Sequence, residues 1–314
     1  MTAPTRPRSP RARAELEAMV RKLEASGDYR ILRRIEPREW FSTAGEKGEF
    51  QRRGEVRNGL ILDVETTGLD HAKDRIIELG MIAFEFEPGG TVFRVTGAYS
   101  GFQDPGMPIP PEITKLTGIT DEMVAGQTID PVEVAGFADA ASVVIAHNAA
   151  FDRKFVEHVW EIFRVKAWAC SQTGIDWAAE GVEGTKLGYL LGKAGLFHDG
   201  HRSAEDCRAL LEVLARPLAV AGVTALGALL AGARQATMRI RAEGSPFDMK
   251  DALKARGYRW NDGSDGQPKA WWRDVPEAEL EAEMTFLRTE IYRRAELDLP
   301  VRRVTAFDRY SDRV

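Results

Sequence analysis

The chain has two cysteines, Cys170 and Cys207, in 314 residues. That excludes a disulfide framework or a four-ligand zinc site, and both read as ordinary buried thiols. Five histidines leave little material for a His-rich metal centre. No apolar run approaches the ~18 residues a membrane span needs, and the Pro/Arg-rich start MTAPTRPRSPRAR lacks the apolar block of a secretory signal. A cytoplasmic protein is expected. Net positive charge is lacking too: the formal balance is -5, which taken alone argues against a nucleic-acid partner. The deficit is local, however. Lys+Arg against Asp+Glu number 14 to 9 in 1–57, 13 to 24 in 58–233 and 16 to 15 in 234–314, so the acidity sits in the middle.

What is present divides the chain the same way. Residues 1–57 form a basic arm: a Pro/Arg/Ser start expected to be disordered, then Leu16, Met19, Val20 and Leu23 at helical spacing before a Ser26-Gly27 stop. A second short helix is expected over Tyr29–Ile35, and the aperiodic stretch Phe41–Asn58 reads as a linker. Residues 58–233 alternate strands and helices. Strands are expected at Gly59–Glu65, Arg75–Glu87 and Thr91–Tyr99, the last two joined by a Pro88-Gly89-Gly90 turn. Further strands at Ser142–Ala146 and Trp168–Cys170 are separated by helices, including one over Phe151–Phe163. The pattern predicts an α/β fold with a mixed sheet and helices on both faces. Residues 234–314 read as a small α+β module with a strand at Thr237–Ala242, a helix at Phe247–Arg256, a hairpin from Tyr258–Asn261 to Lys269–Arg273, and a final helix at Glu279–Arg294.

Three segments of the middle region carry chemistry. In Leu62-Asp63-Val64-Glu65-Thr66-Thr67-Gly68, positions i and i+2 of a strand put the Asp63 and Glu65 carboxylates on one face, about 6.8 Å apart, at the end of an apolar run. A solvated edge strand is the plain alternative. In Ala146-His147-Asn148-Ala149-Ala150-Phe151-Asp152, Asp152 heads an inward helical stripe of Phe155, Val156, Val159 and Phe163, with Arg153, Lys154 and Glu157 outside. Asp152 can also serve simply as a first-turn acid favoured by the helix dipole. In His201-Arg202-Ser203-Ala204-Glu205-Asp206, Ser203 reads as an N-cap and Asp206 as an inward first-turn carboxylate, while Glu205 is expected in solvent. Four inward carboxylates at element ends repel one another unless cations intervene. All-oxygen ligands point to Mg²⁺ or Mn²⁺, and a four-carboxylate cluster can hold two such ions about 3.5–4 Å apart.

LDVETTG, AHNAAFD and HRSAED, in that order, resemble the three motifs of the DnaQ-like DEDDh 3'–5' exonucleases, a ribonuclease-H-like family that includes proofreading subunits of bacterial DNA polymerase III. The resemblance implies Asp63, Glu65, Asp152 and Asp206 as ligands of two divalent cations and His201 as the general base. It also implies that Thr66, Thr67 and Leu69 hold the 3'-terminal nucleotide. Glu112 and Thr117 match substrate-contacting positions, although many relatives carry His where Thr117 stands. Asn148 either supports the second motif or shapes its turn. The activity implied is removal of nucleoside 5'-monophosphates from 3' ends, with DNA preferred over RNA, in proofreading or repair. An exoribonuclease or a polymerase-accessory binding protein are the alternatives.

Two weaker features remain. Gln235-Ala236-Thr237-Met238-Arg239-Ile240 loosely resembles the sliding-clamp-binding motif of proofreading subunits, which would make a clamp or a DNA polymerase a partner, but Met238 and Ile240 also alternate as a strand does, the preferred reading. In the last module, Lys250, Lys254, Arg256 and Arg259 interleave with Tyr258, Trp260, Trp271 and Trp272. That composition suits single-stranded nucleic acid, or a small aromatic core.

Overall fold

The computed structural model describes residues 9–41, 55–264 and 266–314. The first eight residues of the Pro/Arg start, and most of the expected linker (42–54), lie outside the described residues. Helix α1 (Pro10–Ala25) starts where the Ser9 hydroxyl accepts the Ala12 N–H and Pro10 takes the first helical position. It stops at Ser26, with Gly27 at φ 80°. None of its residues is buried, and Leu16, Met19 and Leu23 face outward. The helix expected over Tyr29–Ile35 is not formed. Arg33–Arg34 is a short strand, β1, paired in parallel with Leu196–Phe197; the Arg33 and Ile35 N–H groups donate to the Gly195 and Phe197 carbonyls, partners that a local pattern does not reveal.

Strands β2 (Arg57–Thr66), β3 (Ile76–Phe86) and β4 (Val92–Phe102) form an antiparallel meander. Helices α2 (Pro111–Thr117), α3 (Asp121–Val124) and α4 (Pro131–Ala140) lead to β5 (Val143–Ala146), then α5 (Ala149–Val159) and β6 (Trp168–Cys170). Next come α6 (Leu187–Lys193), β7 (Leu196–Phe197), α7 (Ser203–Leu214) and α8 (Ala225–Arg234). The sheet order is β4-β3-β2-β5-β6, with β5 and β6 parallel to β2. On one face Leu60, Leu62, Val64 and Met81 pack with Val134 and Phe155 from α4 and α5. On the other, Ile61, Ile82 and Phe84 pack with Leu210, Leu214, Leu226 and Leu229 from α7 and α8. The expected mixed sheet with helices on both faces is therefore present. The helix expected through Phe163 ends at Val159, because Trp160 leaves helical geometry (φ -126°, ψ 107°) to bury its ring near Phe163; Val159, assigned to the inward stripe, is exposed.

The C-terminal module contains β8 (Thr237–Ala242), α9 (Lys250–Ala255), β9 (Arg259–Asn261), β10 (Ala270–Pro276), α10 (Leu280–Phe286) with a π-helical extension over Leu287–Tyr292, and β11 (Val301–Val304). Its antiparallel order is β11-β8-β10-β9 around Ile240, Leu253, Tyr258, Val275 and Leu287. Strand β8 is interior, so Met238 and Ile240 belong to a sheet, not to an extended surface peptide. Strand β11 escaped the sequence pattern because Arg302 and Arg303 interrupt its only two apolar residues.

After β11 the chain returns to α5. The Arg153 guanidinium donates to the carbonyls of Phe307 (2.8 Å) and Arg309 (2.6 Å) and pairs with Glu157 at 2.5 Å, while Arg313 pairs with Glu157 at 2.7 Å. Arg153, expected on the outer side, is 0% exposed. The tail is what buries it.

Candidate active site

The carboxylates meet at the carboxyl end of β2. Asp63 pairs across the sheet with Gly80 and Glu65 with Glu78. A Cβ at position 80 would lie 2.3 Å from the Ser203 carbonyl carbon, so glycine there lets the first turn of α7 press against β3. That approach delivers Asp206. Oxygens of Asp63, Glu65 and Asp206 all lie within 4.8 Å of one another, a group able to hold a metal ion. Asp152 arrives from α5 on the parallel neighbour β5; it is 2% exposed, and its Oδ1 accepts the Val64 N–H at 3.1 Å.

Electrostatics sets this cluster apart. Among the described residues no Lys or Arg side chain pairs with any of the four acids. Burial, then the charges of Asp152, Asp206 and Glu65, push the Asp63 carboxyl well above its ordinary range. Burial, then Asp206 and Glu78, raise Glu65 to about 8; burial raises Asp152 to about 8 against the opposing pull of the Val64 N–H. The chain gathers acidic groups here, with only the His198 imidazole in contact with Asp206 and the charge of Arg202 acting on Glu65 from farther away. The donor set is all oxygen, which fits a hard divalent cation.

Supporting groups were not evident in the sequence. Glu78, opposite Glu65, would add a further negative charge, but it receives the Arg202 guanidinium at 2.8 Å and the Ser203 N–H at 3.0 Å. Arg202, not Ser203, is the N-cap of α7: Ser203 is its first helical residue and is fully buried. Glu78 does the capping from the sheet. Asp206 accepts the Arg202 N–H at 3.1 Å and lies 2.6 Å from Nε2 of His198, a histidine that sequence reasoning passed over in favour of His201. The only signal was a second imidazole in the same loop. His201 is exposed, in left-handed geometry at φ 66°, beside the Asp206 turn.

The other predicted contacts separate. Thr67 donates its N–H to the Arg75 carbonyl at 2.9 Å and its hydroxyl to Asp74 at 3.2 Å, so its backbone donor is already used. The Thr66 hydroxyl donates to the Gly68 carbonyl at 2.6 Å. The turn these two close projects Leu69 into solvent, 85% exposed. Glu112 is exposed on the first turn of α2. Thr117 is buried, with its hydroxyl donating to the Ile113 carbonyl and accepting the Ile119 N–H. That hydroxyl closes its own helix. Asn148 is exposed, at φ 78°, and its carbonyl accepts the Phe151 N–H, so it shapes the turn into α5.

Comparison with known proteins matches the same part of the chain. The exonuclease family profile matches residues 60–214. The epsilon subunit of DNA polymerase III from Treponema pallidum is 31% identical over 168 residues, which cover 50% of this chain and 74% of that protein. The chain belongs to the DnaQ-like 3'–5' exonucleases. A PolC-type DNA polymerase III from Clostridium perfringens is 43% identical over 101 residues, 31% of this chain but 6% of that much longer protein. The solved structure of exonuclease X in complex with 5' overhanging duplex DNA aligns over 49% of this chain and 88% of that one, at 24% identity and a TM-score of 0.38. The DnaQ-like motifs fall on β2, on the turn into α5 and on the start of α7. Among the described residues no helix is long and apolar enough to cross a membrane.

Proposed function

We propose that this chain removes nucleoside 5'-monophosphates one at a time from the 3' ends of DNA by hydrolysing the terminal phosphodiester. The observation that carries the reading is the convergence of oxygens of Asp63, Glu65 and Asp206 within 4.8 Å of one another, with no Lys or Arg ion-paired to them among the described residues. These three and Asp152 would hold two divalent cations, Mg²⁺ or Mn²⁺. Bound there, the cations would supply Lewis-acid stabilisation of charge on the attacking and leaving oxygens of an in-line displacement. His201, exposed beside the Asp206 turn, would accept the proton of the attacking water as general base. Thr66 and Leu69 border the 3'-terminal nucleotide, Leu69 as an exposed wedge against its base, and Glu112 marks the α2 side. Residues 58–233 serve as the catalytic unit, 234–314 as an accessory module and 1–57 as a basic arm.

DNA is preferred over RNA because relatives across half of this chain are DNA polymerase III subunits. The same relatives favour a proofreading or repair role, with a polymerase as partner. Chromatography of the products from matched 3'-mismatched, paired and single-stranded DNA, beside RNA, with and without Mn²⁺, tests the proposal. Release of 5'-monophosphates from DNA, dependent on the metal, is the expected outcome. Faster digestion of RNA would make the protein an exoribonuclease, and internal cleavage would overturn the exonuclease reading itself.

A further inference from the structure

Basic charge is concentrated on a different part of the molecule. A cavity of about 390 Å³ lies where the C-terminal sheet meets the main sheet, within the range of roughly 300–1,000 Å³ common for ligand pockets. Arg239 and Arg241 of β8, Arg259 of β9, Arg309 of the tail and Lys154 of α5 line it. Three acidic groups stand against these five basic side chains: Asp274, paired with Arg239 at 2.7 Å, Asp312, paired with Lys154 at 2.8 Å, and the Val314 carboxylate, so basic groups outnumber acidic ones. The Arg239 and Arg259 guanidinium carbons lie 4.0 and 5.5 Å from the Trp272 ring centroid. The ring is thus engaged in holding two guanidinium groups, and the cavity offers N–H donors more than a free stacking surface. That chemistry suits phosphate oxygens.

Position connects the cavity to the carboxylates. Its wall includes Ala150, just past β5, and Thr173, just past β6, so it lies on the same rim of the sheet as the end of β2. Strand β6 is two places from β2, a lateral distance of about 10 Å. Ala150 and Lys154 share one face of α5, and Asp152 points from the other. One short helix therefore carries a site acid on one side and a wall of the basic cavity on the other.

We propose that this cavity holds backbone phosphates of the single strand whose 3' end occupies the carboxylate site, about three stacked nucleotides upstream at roughly 3.4 Å each. The inference rests on the exonuclease reading above and gives the C-terminal module a task in it. A dinucleotide ends short of the cavity, and a decamer enters it.

The test is fluorescence anisotropy of the full chain with labelled DNA dinucleotides and decamers, in EDTA to prevent hydrolysis. Combined Arg241→Glu and Arg259→Glu substitution is expected to weaken decamer binding by about tenfold and to lower the salt slope by about one to two, with dinucleotide binding within about twofold of wild type. Arg259→Lys, which keeps the charge, retains most of the affinity and controls for misfolding. An unchanged ratio between the two lengths would overturn the cavity's role. Competition by a deoxynucleoside monophosphate as strong as that of unlabelled decamer would assign the cavity to free nucleotide and also overturn it. Normal Mn²⁺-dependent digestion with unchanged length dependence would sink this inference alone. Absent digestion with the length dependence kept would sink the exonuclease reading alone.

Discussion

Two acidic positions in this molecule, one buried and the other mostly half-buried, have opposite surroundings. In the C-terminal module Glu283, 3% exposed, accepts from Arg256 Nε at 3.0 Å, Arg273 Nη1 at 2.9 Å and the Tyr258 hydroxyl at 3.0 Å. At the end of β2, Asp63, Glu65, Asp152 and Asp206 crowd together, and among the described residues no Lys or Arg pairs with them. The first acid is satisfied by the chain and helps to hold a small core together. The second group is held in place by the fold against its own repulsion, which is the condition of a site awaiting cations. Arg153 shows the same contrast one residue from Asp152: the C-terminal tail and Glu157 supply its partners.

Substitutions should affect the two regions with opposite sign. The largest effect is expected for Asp63→Asn and Asp206→Asn, which should cut metal-dependent digestion on the order of 10³-fold or more while leaving the melting temperature in EDTA equal to or above wild type. A lower melting temperature would mean that these acids are structural, like Glu283. Next, His201→Ala should slow turnover by about 10²-fold with Mn²⁺ affinity unchanged, while His198→Ala should alter Mn²⁺ affinity more than turnover. The reverse result would exchange the two histidines. Glu283→Ala should destabilise the protein by about 2–3 kcal/mol in urea unfolding, less than for a fully buried pair because both arginines are partly exposed.

The smallest effect concerns pH. Glu65 and Asp152 are raised in the fold to about 8, above their ordinary carboxylate values, so the neutral forms are favoured. Their contribution to stability is complete at low pH and is lost as pH rises through about 8. The metal-free protein should therefore melt lower at pH 9 than at pH 6, and Mn²⁺ should restore more stability at pH 9. Equal melting at both pH values without metal would break the contrast with Glu283.

Much of this was legible in the sequence, for reasons visible in particular residues. Asp63 and Glu65 stood out because a period-two strand fixes where i and i+2 point, and the apolar strands of the main sheet read clearly. Long-range partners did not read. Arg33–Arg34 forms a strand only because residues 195–197 provide its ladder, and Arg153 is buried only because the tail comes back to cover it. Glu78 and Arg202, 124 residues apart in sequence, form the pair that caps α7. The Thr117 and Thr67 donors carried motif chemistry in the sequence but are used within their own turns. Similarly, the basic cavity draws on α5, three strands and the tail, and no window of sequence contains it.

Calorimetric titration of Mn²⁺ into the wild-type chain and into Asp63→Asn at pH 7, in buffers of differing ionisation enthalpy, tests the central claim most directly. The Glu65 and Asp152 carboxyls, raised to about 8, hold protons at that pH, which an entering cation must displace. Two Mn²⁺ per wild-type chain with measurable proton release, and loss of this binding in Asp63→Asn, is the predicted result. Binding without proton release, or identical binding by the two proteins, would contradict it.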